Sequence, residues 1–592
     1  MNAPAQKSAK PVAATARIGY VFKNKEDKEF TDPLKAYEGL ALAQCGHYPL
    51  GANGSFHGGI HFAAGTKAVF TQDKGVRCIA DGEVVAYRID RRYSDATPAD
   101  STEPRPKDGR ALRPYSSAFV LVRHRLQPPL PALPAPPKES AISNFGTSLC
   151  NEAGRPLAWL PQGATLRLTG RTNRDRTWAQ VDELTTPDQA VWSVDQPSDI
   201  WVRISDLMAV SSARTGLARL LEQSEYRINP AADRPDPRQV RANCDARLQQ
   251  EEHRRQCAAM ANAPTLTWHS LYMHLGDLAS YEANPRRCRP AWWCGDKASH
   301  RLPHKLDAVM VLDQPVPIRQ GQIVGFLGED VPSDAWIPSA QPISRELLHL
   351  EAFSGDDVPG FIAACRQWAQ QLPEDKRTQL GLKSGDELRG EPRPDAPVIA
   401  TVGAGQTFPL GALKQAKDAA GHIWRQVSAR TTGTGTATGW IEETGRRVSP
   451  WEWRDFQIIE EASNPAGTWW DDVQQFADYL RGSGIRPKET PLFAKIRSWL
   501  DRNGDGRLDE RELDIALKDR LLSSLIGGLI VRHRSAWDVP DWKERFGAID
   551  ELIEKLGNHE DSVRYRAAEK ERVRKLDWWS YVAGQVPGFP VD

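Results

Sequence analysis

The stretch His57-Gly-Gly-Ile-His61 places two imidazoles four residues apart. That spacing shares one face of a helix, but Gly58 and Gly59 disfavour a helix, and the glutamate of the His-Glu-x-x-His zinc helix is missing. In an extended segment, positions i and i+4 also point to one face. Leu347, His349 and Glu351 alternate onto one side of a second run in the same way. If the two segments meet across a sheet, neutral imidazoles surround a tetrahedral Zn²⁺ with one position open for water.

A second set of hard ligands lies near the other end. Asp501-Arg-Asn503-Gly-Asp505-Gly506-Arg507-Leu508-Asp509-Glu-Arg-Glu512 has oxygen ligands at loop positions 1, 3, 5, 9 and 12, glycine at 6 and an apolar residue at 8. This is the EF-hand pattern. Asp501, Asn503, Asp505, the Arg507 carbonyl, Asp509 and Glu512 are the expected Ca²⁺ ligands, between a helix ending at Leu500 and one carrying Leu513 and Leu517. A single hand reads as a structural staple.

The elements that must position these groups are mostly strands. Strand signals at Val69 to Phe70, Arg77 to Ala80, Glu83 to Ile89 and Ala118 to Arg125 return at Thr265 to Leu275, Ala308 to Leu312, Gly321 to Leu327 and Leu347 to Phe353. One antiparallel β domain, 17–126 plus 264–358, is therefore expected to be split by an insertion, 127–263. The insertion opens with a proline-rich linker at 127–138 and includes a helical or mobile stretch over 212–263. Residues 1–16 read as a disordered tail, and the apolar run Leu521 to Val531 as a core helix. From 451 to 592 the pattern is helical, led by Trp451, Trp453, Trp469 and Trp470. The fold class expected is multidomain, with a mainly β front part and an α-helical, EF-hand-containing C-terminal domain.

Composition narrows the function classes. Lys plus Arg and Asp plus Glu each total 77 of 592 residues, so no global basic field favours nucleic acid or an anionic membrane. No apolar run reaches the ~20 residues of a membrane span, and the first sixteen residues lack a secretory signal core. The eight cysteines include no C-x-x-C pair; Cys288 and Cys294 can bridge in an oxidising space, but free thiols are expected. Twenty tryptophans suit flat sugar faces and ordinary packing alike.

Resemblance sharpens these readings. Leu157 to Leu207 and Val398 to Glu442, with Trp178-Ala-Gln-Val181 matched by Trp424-Arg-Gln-Val427, resemble bacterial SH3-like barrels of the kind that bind peptidoglycan. The second such module is expected over 380–450. His57 to Gly65, Ala80 to Val85, Phe119 to His124, Ser270-Leu-Tyr-Met-His274-Leu, Gly321 to Gly325 and Leu348-His349-Leu-Glu351 follow the order of motifs in LytM/lysostaphin-type (M23-like) metallopeptidases. Such proteins are similar to small β domains whose groove binds Zn²⁺ and cuts peptidoglycan peptides. The resemblance implies His57 and His349 as zinc ligands, and His274 as the retained catalytic histidine. Two positions depart from the family: His61 stands at its Asp ligand and Leu347 at its first His-x-His histidine. A three-histidine site of His57, His61 and His349 is implied, with Glu351 assigned the vacant base role or, alternatively, structural hydrogen bonds.

The wider combination resembles cell-wall-degrading effectors of type VI secretion systems, whose back half is lysozyme-like. Leu529 to Trp537 looks like a stretch that reads His-x-Ser-Glu-Trp in such relatives, with Ala536 at the glutamate. The resemblance implies a zinc-dependent peptidoglycan amidase or endopeptidase, made without a signal peptide and acting in a target cell's periplasm. The implied partners are peptidoglycan, a secretion spike protein, a chaperone and an immunity protein. The alternatives are a non-catalytic wall-binding or delivery protein on a degenerate metallopeptidase fold, and muramidase activity in the C-terminal domain.

Overall fold

The computed structural model describes residues 18–43, 48–49, 56–107, 109–128, 147–160, 164–185, 190–192, 199–209, 225–228, 263–294, 305–331, 344–372, 374–403, 405–432, 435–460, 491–501, 504, 510–538, 543, 547, 550–551, 554 and 560–590. The expected tail 1–16, most of the proline-rich linker and most of 212–263 lie outside the described residues. The described chain is mainly β, in several small sheets, with a few helices and a helical C-terminal stretch. It divides into two compact units, Leu130–Ala263 and the remainder.

The site is carried by a seven-stranded antiparallel sheet in the larger unit. Its strands are β1 (Ile60–Phe62), β2 (Gly82–Arg88), β3 (Phe119–Leu126), β4 (Leu266–Met273), β5 (Met310–Ile318), β6 (Gly328–Asp330) and β7 (Arg345–Phe353). They run in the order β5-β2-β3-β4-β7-β1, with β6 also paired to β7. Alternation along a strand sends neighbouring side chains to opposite faces. Val120, Val122 and Tyr272 enter one core with Phe22, Phe62, Phe70 and Trp292. Phe119, Leu121, Leu271 and Met273 enter another.

That second core is completed from the far end of the chain. Leu576, Trp578, Trp579, Val582 and Phe589 are buried against it, and the Trp578 ring stacks on Phe119 at 4.7 Å. Leu576 ends α3 (Glu560–Leu576), Trp578 caps α4 (Trp579–Ala583), and Trp579 and Val582 lie on α4. Arg572 of α3 pairs with Asp330 at 3.2 Å, and Arg345 reaches the same carboxylate at 3.1 Å. Tyr565 donates to Glu103, which also accepts two bonds from the fully buried Arg113. The helical tail is thus a cover for the sheet that carries the histidines.

The stretches expected to be SH3-like barrels are open among the described residues. In the Leu130–Ala263 unit, eight strands from Thr147 to Ile228 form one antiparallel sheet around Leu149, Leu160, Leu168, Val181 and Val202. Its terminal strands, Val191–Trp192 and Leu207–Ala209, do not meet each other. Glu225–Ile228 is one of its strands, inside the stretch expected to be helical or mobile. Residues 379–448 form a three-stranded and a five-stranded sheet about Leu380, Leu388, Val427 and Ile441. The run Leu521 to Val531 is likewise not one helix: Arg520–Gly527 is helical, and Leu529–Arg532 is a strand parallel to Gln457–Glu460. Gly527 and Gly528 mark the change, since glycine weakens a helix interior.

Candidate metal centre

Strand β1 pairs with β7 so that His61 lies directly opposite His349. His57 approaches from the segment before β1. One ligand atom from each of the three rings lies within 4.8 Å of the others. The ring centroids are 4.5 Å apart for His57 and His61, 5.2 Å for His57 and His349, and 5.1 Å for His61 and His349.

The ring protons are directed by neighbours. His57 Nδ1 lies 2.6 Å from the Gly59 carbonyl oxygen, which only accepts, so Nδ1 carries the proton and Nε2 keeps a lone pair. His349 Nε2 donates to Glu351 Oε2 at 3.2 Å, leaving Nδ1 as the ligand-type nitrogen. That Nδ1 faces His61 Nε2 at 3.0 Å. A histidine held by a carboxylate or carbonyl on its far side is the arrangement that orients metal-binding imidazoles. Burial, then the charges of His349, His57 and His274, hold His61 well below the usual histidine range, so its ring is neutral at pH 7. The donor set therefore fits Zn²⁺: three imidazoles at the edge of a sheet, two of them fixed from behind.

The two glycines of the motif have a steric reason. A Cβ on Gly59 would overlap the His349 ring, and one on Gly58 would come within 2.8 Å of Glu351 Oε1. A side chain at Gly59 would have to displace the His349 ring, and one at Gly58 the Glu351 carboxylate.

His274 follows β4 with a positive φ of 63°, a costly backbone state for a residue other than glycine. Its Nδ1 donates to the Ser116 carbonyl at 2.9 Å. Burial lowers its pKa despite the opposing charge of Asp330 and the Ser116 bond. Asp330 itself is held ionised: burial works to raise its pKa, but His274, Arg572 and Arg345 together lower it.

Glu351 is buried beside His349. Burial raises its pKa, but the hydrogen bond and charge of His349, the charge of His533 and the Trp537 N–H together bring it to about 2. Its Oε2 already accepts from His349 Nε2 and from the Trp537 indole, so its geometry favours the structural hydrogen bonds over the base role. Leu347, at the departed histidine position, is buried and pairs with Gly328.

Two neighbours come from the C-terminal stretch. Trp537 Nε1 donates to Glu351 Oε2 at 2.8 Å, and its ring meets His349 edge-on at 5.1 Å. His533 packs on Phe56 at 4.4 Å. The sequence marks both residues only through the lysozyme-like stretch, and nothing in the spacing ties Trp537 to Glu351, 186 positions away.

Of the calcium ligands, Asp501 and Glu512 are described; Asn503, Asp505, Arg507 and Asp509 lie outside the described residues. Helices α1 (Pro491–Leu500) and α2 (Glu510–Lys518) flank the loop and share a core of Leu492, Ile496, Leu500, Ala516 and Leu517. Asp501 Oδ1 accepts the Gly504 amide at 2.7 Å, and Gly504 has a positive φ of 74°. Ala536 is exposed in the turn before Trp537. Cys78, Cys288 and Cys365 are free thiols. No helix among the described residues is long and apolar enough to cross a membrane.

Comparison with protein-family models, with curated proteins and with solved structures returned no match.

Proposed function

We propose that the chain is a zinc-dependent peptidoglycan amidase or endopeptidase, built on a LytM-like β domain with SH3-like modules and delivered by a type VI system to a target periplasm. The observation that carries this reading is the convergence of His57, His61 and His349, with His349 and His57 each held from behind by Glu351 and the Gly59 carbonyl. Zinc held there would supply Lewis acidity toward water and a scissile carbonyl. His57 through Nε2 and His349 through Nδ1 would hold it, with His61 completing the set.

His274 handles the proton. With Nδ1–H tied to Ser116, Nε2 of the neutral ring accepts a proton and cannot give one, so the ring first acts as an acceptor. Once protonated, it becomes the donor for the leaving amine. In this reading the calcium loop, from Asp501 to Glu512, stabilises the C-terminal stretch, and a spike protein, chaperone and immunity protein are its partners in delivery and protection.

One observation favours a second reading, a non-catalytic wall-binding protein: buried Leu347 stands at the family's histidine position, and Glu351 Oε2 is engaged by His349 and Trp537. Incubating isolated sacculi with the full-length chain, with and without chelator, separates the two. Chelator-sensitive release of soluble fragments supports the hydrolase; sedimentation with intact sacculi at stoichiometric zinc supports the binder. New reducing sugar ends, insensitive to His57→Ala, would instead indicate muramidase activity.

A further inference from the structure

We infer that Trp537 is a positioning residue of the histidine centre, so that the C-terminal stretch His533–Trp537 forms part of that centre. The inference rests on the metal-site reading above. Glu351 Oε2 takes two donors, His349 Nε2 at 3.2 Å and Trp537 Nε1 at 2.8 Å. The indole therefore holds the carboxylate that holds the ligand. Its ring also stands edge-on to His349 at 5.1 Å and to His274 at 6.3 Å, and so borders both the metal-ligand ring and the proton-handling ring.

His533 borders the same glycine as the carboxylate: a Cβ built on Gly58 would lie 2.8 Å from Glu351 Oε1 and 3.4 Å from His533 Cε1. His533 Nδ1 donates to the Arg534 carbonyl at 2.7 Å, fixing its ring in turn.

The segment is braced. The Trp537 amide donates to Ser535 Oγ at 3.1 Å, Arg534 pairs with Asp538 at 3.1 Å, and Ser580 of α4 donates to Asp538 at 3.0 Å. Through α4 the turn is tied to the core that covers the sheet. A tryptophan held this way has one indole N–H direction, and a fixed donor to a ligand's carboxylate sets that ligand's tautomer.

The test uses the full-length chain as wild type, Trp537→Phe, Glu351→Gln and the double variant. Zinc affinity is read by competition with a chromophoric chelator, and the His349 tautomer in metal-free protein by ¹⁵N-histidine NMR. Trp537→Phe keeps an aromatic ring and removes the N–H. It is expected to weaken zinc about 10-fold and to shift His349 from a proton fixed on Nε2 to a mixture. Because Trp537 acts through Glu351, it adds no further loss in the Glu351→Gln background. Ser535→Ala, a milder loosening of the turn, gives a smaller change in the same direction and serves if Trp537→Phe does not fold. Unchanged tautomer and unchanged affinity in Trp537→Phe overturn the inference, as do losses that simply multiply in the double variant. If wild type binds no zinc while Trp537→Phe still shifts the tautomer, the positioning role stands and the zinc reading falls.

Discussion

At the scale of single residues, the centre depends on which nitrogen carries each proton and on the absence of two side chains. Gly59→Ala pushes a methyl into the His349 ring. Zinc content after gel filtration is expected to drop at least ten-fold, with little change in circular dichroism. His57→Ala, His61→Ala and His349→Ala are each expected to lose stoichiometric zinc. Full zinc occupancy in His61→Ala would show that this ring is not a ligand. His274 is buried with a lowered pKa, so it remains an unprotonated acceptor as pH falls through 6.5. The acidic limb of the kcat/KM profile for wall-fragment cleavage is therefore expected below pH 6.5; a midpoint above 7 would remove His274 from the acceptor role.

At the scale of elements, the strands of the central sheet and the opposing histidines were legible, because period-two alternation survives any tertiary arrangement. Glu83 to Ile89, Ala118 to Arg125 and Thr265 to Leu275 as read from the sequence overlie Gly82–Arg88, Phe119–Leu126 and Leu266–Met273. His57, His61 and His349 could be grouped because alternation assigns each to a face. What alternation does not encode is which distant segment covers that face. The cover of Phe119 and Leu271 by Trp578 and Phe589, and the reach of Trp537 to Glu351, are contacts of very long separation with no local signature. The tryptophan excess was ambiguous for the same reason: Trp159, Trp201, Trp424, Trp578 and Trp579 are buried packing residues.

The sheet also carries buried neutral histidines with a pH consequence. His124 is lowered to about 4 and His269 to about 3, in both cases chiefly by burial. Below about pH 6.5 the unfolded chain takes up these protons and the folded chain does not, so their stabilisation is complete above 6.5 and is lost as pH falls toward 4 and 3. Urea denaturation from pH 7 to 5 is expected to show stability dropping by up to about 1.4 kcal/mol per pH unit for each such ring. Both ring nitrogens of His269 are buried without a hydrogen-bond partner, between Phe353 and Phe589. His269→Phe is therefore expected to raise stability by about 1 kcal/mol and flatten the acid slope; a loss of stability at pH 5 would contradict this.

At the scale of the whole molecule, the C-terminal stretch reads as an integral part of the β domain's core. Trp579→Ala is expected to cost about 3–5 kcal/mol and to lower the melting of the histidine-bearing sheet along with that of the helices. Asp501→Ala is expected to abolish a calcium-dependent rise in Tm while leaving zinc content unchanged, because the loop and the histidine centre share no ligand. The central claim, zinc-dependent cleavage of the wall peptide by the His57–His61–His349 centre, is tested most directly by mass spectrometry of peptidoglycan digested with the zinc-loaded chain, beside chelated and His57→Ala controls. The account predicts products carrying one newly opened amide and intact glycan, absent from both controls. Unaltered peptidoglycan at stoichiometric zinc, or the same products from His57→Ala, would contradict it.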